Sequence, residues 1–247
     1  MVTFRFLFGF GFASLVACAA CTNEPANKHE HSTDAVAPAP AVVEAGVREP
    51  SAPKMRIATD GVFVDGNLYV TSESDFGSRV SATLATAKLG EFDLTVDVDR
   101  KVKPSVVHQV IGILKAGKPK SLSLATYDRA GTKISLPIDL GGKEAPVCTP
   151  VALIGKDGSV SVWTAAGTTT TKKFARGLAG PDMTQGSEAL RKAEASCGAS
   201  RLVLGIDEVF TWGLAADLVS SAHADAGDAR IPITTVMKDL VPGRKVR

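Results

Sequence analysis

The chain has 247 residues, 45% of them hydrophobic, and a formal net charge of +2. That length and apolar content suffice for one large core or two small ones. A charge balance this close to neutral offers no broad basic field for gripping phosphates, which sets nucleic acid aside as a partner.

Arg5 precedes an uncharged apolar run from Phe6 to Cys21, the layout of a secretory leader. The run contains glycines and falls short of the roughly 20 apolar residues that a spanning helix needs. Inside it, Leu15-Val16-Ala17-Cys18 resembles the bacterial lipobox, where a peptidase cuts before an acylated cysteine. The resemblance implies a signal peptide over residues 1–17 and a lipid anchor on Cys18. Cys21 fits less well, because Cys18 and not a leucine stands three residues before it. Ala19 follows the anchor where an Asp favours retention in the inner membrane, so the expected location is the outer membrane, facing the periplasm. Cys18 and Cys21 also share the spacing of a redox dithiol, but that chemistry needs a folded surround to lower a thiol pKa, and a leader boundary explains the pair better.

Residues 18–53 read as the lipid anchor followed by a disordered linker. The stretch is rich in Ala, Pro, Glu and Val, lacks aromatic residues and has no sustained period, so it cannot bury enough surface to offset its chain entropy. His29 and His31 flank Glu30 in this tether, and without an ordered surround they are not expected to hold a metal. No cofactor is expected anywhere in the chain.

The remainder repeats one order of elements. In the first copy, residues 54–141, Asp65-Gly66-Asn67 predicts a hairpin between Val62 to Val64 and Leu68 to Thr71. Phe76, Val80, Leu84 and Ala87 share a helical face, with Ser72 and Asp75 spaced as a capping box. Phe92, Leu94, Val96 and Val98 alternate with polar residues as a strand with one wet face. Pro104 opens a second helix with an apolar stripe through Val106, Val107, Val110, Ile111 and Leu114, ending at Gly117. Strands follow around Leu122 and Leu124 and around Ile134, Leu136 and Ile138.

The second copy, residues 147–240, predicts strands at Val151 to Ile154 and Val160 to Trp163 about Asp157-Gly158. A helix over 186–196 comes next, then a strand with Leu202, Leu204 and Ile206. A longer helix carrying Phe210, Leu214, Leu218 and Ala222 leads to a closing strand at Ile231 and Ile233. Asp60-Gly61 aligns with Asp157-Gly158, and Asp99 with Asp207. The main difference is an insertion over residues 168–186, either a binding loop or a disordered one. Arg244, Lys245 and Arg247 lie in a basic tail, residues 241–247, expected to be solvated. The fold class is thus α/β (α+β): two tandem small mixed-sheet domains, each with two helices packed on its sheet.

No catalytic constellation stands out, and the chain is read as a non-enzyme. His108 and His223 each lie within a predicted helix with no nucleophile or acid at a recognisable spacing. Asp207-Glu208 reads as a solvated helix start. Cys148 and Cys197, in an oxidising compartment, are expected to pair, closing a loop of about 50 residues worth around 4 kcal/mol in the chain-entropy treatment. Two buried thiols are the alternative.

The run LTVDVDRKVKPSVVHQVIGILKAGKPKSLSLAT is similar to the strand, Asp, helix, glycine turn and strand of the periplasmic domain of ExbD and TolR proteins, the biopolymer-transport subunits of TonB and Tol systems. Asp99 and Gly117 fall on that family's Asp and Gly positions. The resemblance covers residues 55–140 well and 149–236 weakly. It implies a module that serves beside an inner-membrane motor. The chain departs from the family where a membrane helix would carry an acidic residue, since its one apolar segment is uncharged and cannot relay protons. Asp99 itself reads as structural, satisfying backbone donors where the strand turns into the helix. The functional expectation is a lipid-anchored binding or scaffolding accessory of a TonB- or Tol-type complex. The alternatives are a peptidoglycan-binding spacer and, from another class, an enzyme processing envelope polymers. Exposed sheet edges are expected to accept a partner strand or to pair two copies into a homodimer.

Overall fold

The computed structural model describes residues 51–141, 145–167, 172–177, 180–198, 201–224 and 231–246. Cys18, the leader, His29 and His31, and all but the last three residues of the linker lie outside them. Among the described residues, no helix is long and apolar enough to cross a membrane.

The first repeat begins with β1 (Met55–Ala58), β2 (Gly61–Val64) and β3 (Asn67–Tyr69). The β2–β3 hairpin forms at the expected place, with Phe63 opposite Leu68. Asp65 and Gly66 both have positive φ, 49° and 86°, as a tight turn matched to strand twist requires. Helix α1 (Phe76–Ala85) buries Phe76, Val80 and Leu84. Its N-cap is Asp75, whose side chain makes no capping bond, so the expected Ser72–Asp75 capping box does not form. Strand β4 (Asp93–Val98) alternates exposed and buried residues without a break. Helix α2 (Pro104–Ala116) starts on Pro104 and buries Val107, Val110, Ile111 and Leu114. Strands β5 (Ser121–Tyr127) and β6 (Lys133–Pro137) complete a sheet of order β3-β2-β1-β4-β5-β6.

The second repeat has β7 (Pro150–Ile154), β8 (Val160–Thr164), β9 (Lys172–Phe174), α3 (Met183–Cys197), β10 (Arg201–Ile206), α4 (Trp212–His223) and β11 (Ile233–Val236). Its sheet runs β11-β10-β7-β8-β9. With β7 standing for β1, β10 for β4 and β11 for β5, the order is that of the first repeat without a counterpart of β6. Two hydrogen bonds mark the equivalence: Asp99 N donates to Ile57 O and Asp207 N to Ile154 O, each at 2.9 Å. Each of these aspartates also accepts from the backbone two residues on, at Lys101 and Val209. This satisfies donors at the strand-to-helix turn, the structural role expected of Asp99.

Some boundaries differ from expectation. Strand β1 carried no clear alternation and went unread. Strand β9 lies within the insertion, which therefore supplies the counterpart of β3. Phe210 sits in a turn before α4, which at 12 residues is shorter than the 15-residue α3.

The two sheets meet edge to edge. Ile138, just past β6, bridges in parallel to Thr234 in β11, and Asp139 N donates to Thr234 O at 3.0 Å. One hydrophobic cluster runs through both repeats, from Ile57 and Leu124 to Leu204 and Leu218, and both repeats fall in a single compact unit, Arg48–Arg247.

Candidate functional site

The helices pack on one face of each sheet, and the opposite faces differ between the repeats. In β10, Val203 is fully buried on the helix-free side, where Trp163 and partly buried Met237, Leu240 and Val246 of the C-terminal segment cover it. Gly205 leaves room for Leu240, since a Cβ there would lie 2.7 Å from Leu240 Cδ1. The equivalent positions of β4 are Thr95 and Asp97, both exposed. The second repeat thus fills its helix-free face with its own chain, and the first leaves that face open and polar.

The basic tail is part of this cover. Its Arg244 and Lys245 side chains are exposed, as expected, but its backbone is held: Trp163 Nε1 donates to Arg244 O at 3.0 Å and Val246 N to Ala165 O at 2.9 Å.

On the first repeat, a crevice of about 670 Å³ lies at the carboxyl ends of β1, β4 and β5, bordered by Arg56, Asp97, Asp99, Tyr127, Lys133 and Thr211. This is the usual place for a ligand in an open sheet with parallel strands. Lys133 Nζ lies 3.0 Å from Asp97 Oδ1, and Arg56 Nη2 lies 3.9 Å from Asp99 Oδ2. These exposed pairs keep charge fixed on the surface but add little stability. Tyr127 is 53% exposed and offers a flat ring beside them. The matching crevice of the second repeat includes Leu153, Asp207, Met237 and Leu240, so Arg56 and Ala125 of the first correspond to two apolar side chains, Leu153 and Met237.

The floor is held by the other repeat. Arg100 makes a two-pronged pair with Asp217 of α4, both bonds 2.8 Å, and also donates to Tyr127 O at 2.6 Å. Asp217 accepts a third bond from Arg129 N, and the hydrogen bond to its carboxylate raises the Arg100 pKa. Close approach is possible because Gly213 has no side chain to meet Arg100. Glu208, read as a solvated helix start, instead reaches across the seam: its Oε2 accepts from Ser105 N at the start of α2 at 3.1 Å. It thereby accepts from a helix-end donor of α2, whose own N-cap, Lys103, makes no side-chain capping bond.

Neither histidine faces the crevice. His223 Nδ1 bonds Val219 O at 2.8 Å, and its Nε2 lies 3.1 Å from Glu194 Oε2, both side chains 12% exposed. The carbonyl can only accept, so Nδ1 carries a proton, and the hydrogen bond to Glu194 raises the His223 pKa against the opposing effect of burial. The acid lies 29 residues earlier on a different helix, a spacing no motif reveals. His108 has a buried Nδ1 without a hydrogen-bond partner, and burial lowers its pKa, assisted by Lys238 and Lys115. Among the described residues, no group of three or more His, Cys, Asp or Glu is placed to hold a metal ion. Cys148 and Cys197 are bonded, as expected, and fasten the start of the second repeat to the end of α3.

No family model, curated protein or solved structure matched the chain.

Proposed function

We propose that this is a lipid-anchored, periplasm-facing protein of the outer membrane that binds or scaffolds and is not an enzyme, serving as an accessory to a TonB- or Tol-type transport complex. The observation that carries the binding role is the difference between the two helix-free faces. A duplicated unit that covers one face with its own C-terminal segment and keeps the other open, charged and rigidly backed has a surface suited to a partner. The transport assignment rests on the strand-Asp-helix-Gly-strand pattern around Asp99 and Gly117, and the anchor rests on the lipobox at Cys18. The inner sheet edges face each other and meet at the Ile138–Thr234 bridge, and the outer edges offered to a strand-adding partner or a second copy are β3 and β9, of three residues each. Such short edges resist pairing, and the open face is the better docking surface.

The test is a pull-down of the tagged protein from detergent extracts, comparing wild type, Cys18→Ala and the charge reversal Asp97→Lys with Lys133→Glu. The expected result is motor subunits or a TonB-like protein enriched by wild type and lost from both variants. Enrichment of cell-wall fragments alone would make the protein a wall-binding spacer. Capture that survives the charge reversal would remove the open face from the interaction.

A further inference from the structure

We propose that a second cavity, at the seam of the repeats, binds a small amphiphilic carboxylate with its hydrocarbon end inward and its head group at two lysines. The cavity holds about 220 Å³ and is walled by buried Ala165 and Val203 and partly buried Met237 and Val246, with Val147, 70% exposed, at its mouth. Lys115 of α2 and Lys245 of the C-terminal segment complete the lining from opposite sides of the seam. Asp139 is the one acid among these lining residues, and its carboxylate is already engaged. Its Oδ2 lies 3.4 Å from Arg201 Nη1 and accepts from Thr235 Oγ1 at 3.2 Å, while Oδ1 accepts from Gly141 N at 3.1 Å. The pocket wall therefore leaves both ammonium groups to an incoming anion.

The combination selects a chemical class. Apolar walls favour a hydrocarbon by roughly 25 cal/mol for each Å² removed from water, and a few polar groups at the margin fix its orientation. Inorganic phosphate leaves those walls unused, and an uncharged alkyl group leaves the lysines unused. The volume lies below the roughly 300–1,000 Å³ of sites for drug-sized molecules, so the tail is short. The wall is also built in advance. Gly167, with φ of 77°, lets the backbone of the C-terminal segment pass so close that a Cβ would lie 2.8 Å from Lys245 N. Val246 is anchored on the same strip by its bond to Ala165 O.

Octanoate is the probe, titrated into the full chain carrying Cys18→Ala so that no detergent competes, and followed by methyl NMR. The expected result is saturable shifts at Val147, Val203 and Val246. Replacing both lysines (Lys115→Gln with Lys245→Gln) should weaken octanoate about tenfold while leaving octanol binding unchanged. Val246→Asp, which puts a carboxylate in the wall, should abolish binding of octanoate with the fold intact by circular dichroism. Absence of saturable shifts at those methyls, octanol binding as tightly as octanoate, or an unchanged affinity in the double lysine variant would each overturn the assignment.

Discussion

Two buried charge pairs show what individual side chains contribute. Asp217 stands alone in an apolar helix, and its three hydrogen bonds all go to the first repeat. Removing it strands Arg100, so Asp217→Ala should cost about 3 kcal/mol, read as a lower urea midpoint. His223 gives a pH dependence of definite sign. Its folded pKa is raised above the unfolded value, so its contribution is complete below about pH 6.5 and is lost as pH rises through the folded value. Urea titrations across that window should show stability falling toward alkaline pH, and His223→Gln should flatten that slope. A slope unchanged in the variant would show that Glu194 and His223 do not share the proton. Neither pair was read from the sequence: Asp217 is the lone acid of WGLAADLVSSA, and which cation it meets depends on how the repeats dock.

At the level of elements, periodicity was a good guide wherever one face is wet and the other dry. Strand β4 alternates strictly over Asp93–Val98, and α2 buries Val107, Val110, Ile111 and Leu114 at helical spacing, with Val106 of the expected stripe only partly buried. Strand β1 was missed because MRIA is short and three of its residues are buried, and a four-residue run with a single polar position has no readable period. The capping box failed because the chain reaches α1 through turns that leave Ser72 outside the helix start. The open crevice had no local signature at all, since its walls come from four strands, the turn after β4 and Thr211 just before α4. Glu208 is an element-scale device, capping a helix of the other repeat. Glu208→Ala should cost about 1 kcal/mol and speed amide exchange in the first turn of α2, leaving α4 unaffected. If α4 loosens as well, the residue acts within its own repeat.

For the molecule as a whole, the governing feature is two units that share a strand order and differ on their helix-free faces. Both units have the turn aspartate and the same strand order, while the positions equivalent to Thr95 and Asp97 are Val203 and Gly205, which accept the C-terminal segment. The Cys148–Cys197 bond belongs to this scale because it encloses β7, β8, β9 and nearly all of α3. By loop closure it should add about 4 kcal/mol. The intact mass should rise by two hydrogens on reduction, and the double Cys→Ser variant should melt lower than wild type. Equal melting points would assign the bond no role in stability.

The place of β1 in its sheet has a mechanical consequence. The first strand, β1, lies in the middle of its sheet, flanked by antiparallel β2 and parallel β4. A pull on the N-terminal side loads both ladders in shear, so their hydrogen bonds must give way together and not one after another. Force applied there is resisted first by the repeat with the open face, while β11 and the covered second sheet lie beyond the bridge at Ile138. A protein wired this way is suited to hold a bound partner against tension, and its lifetime under load is set by the rate at which the first repeat opens.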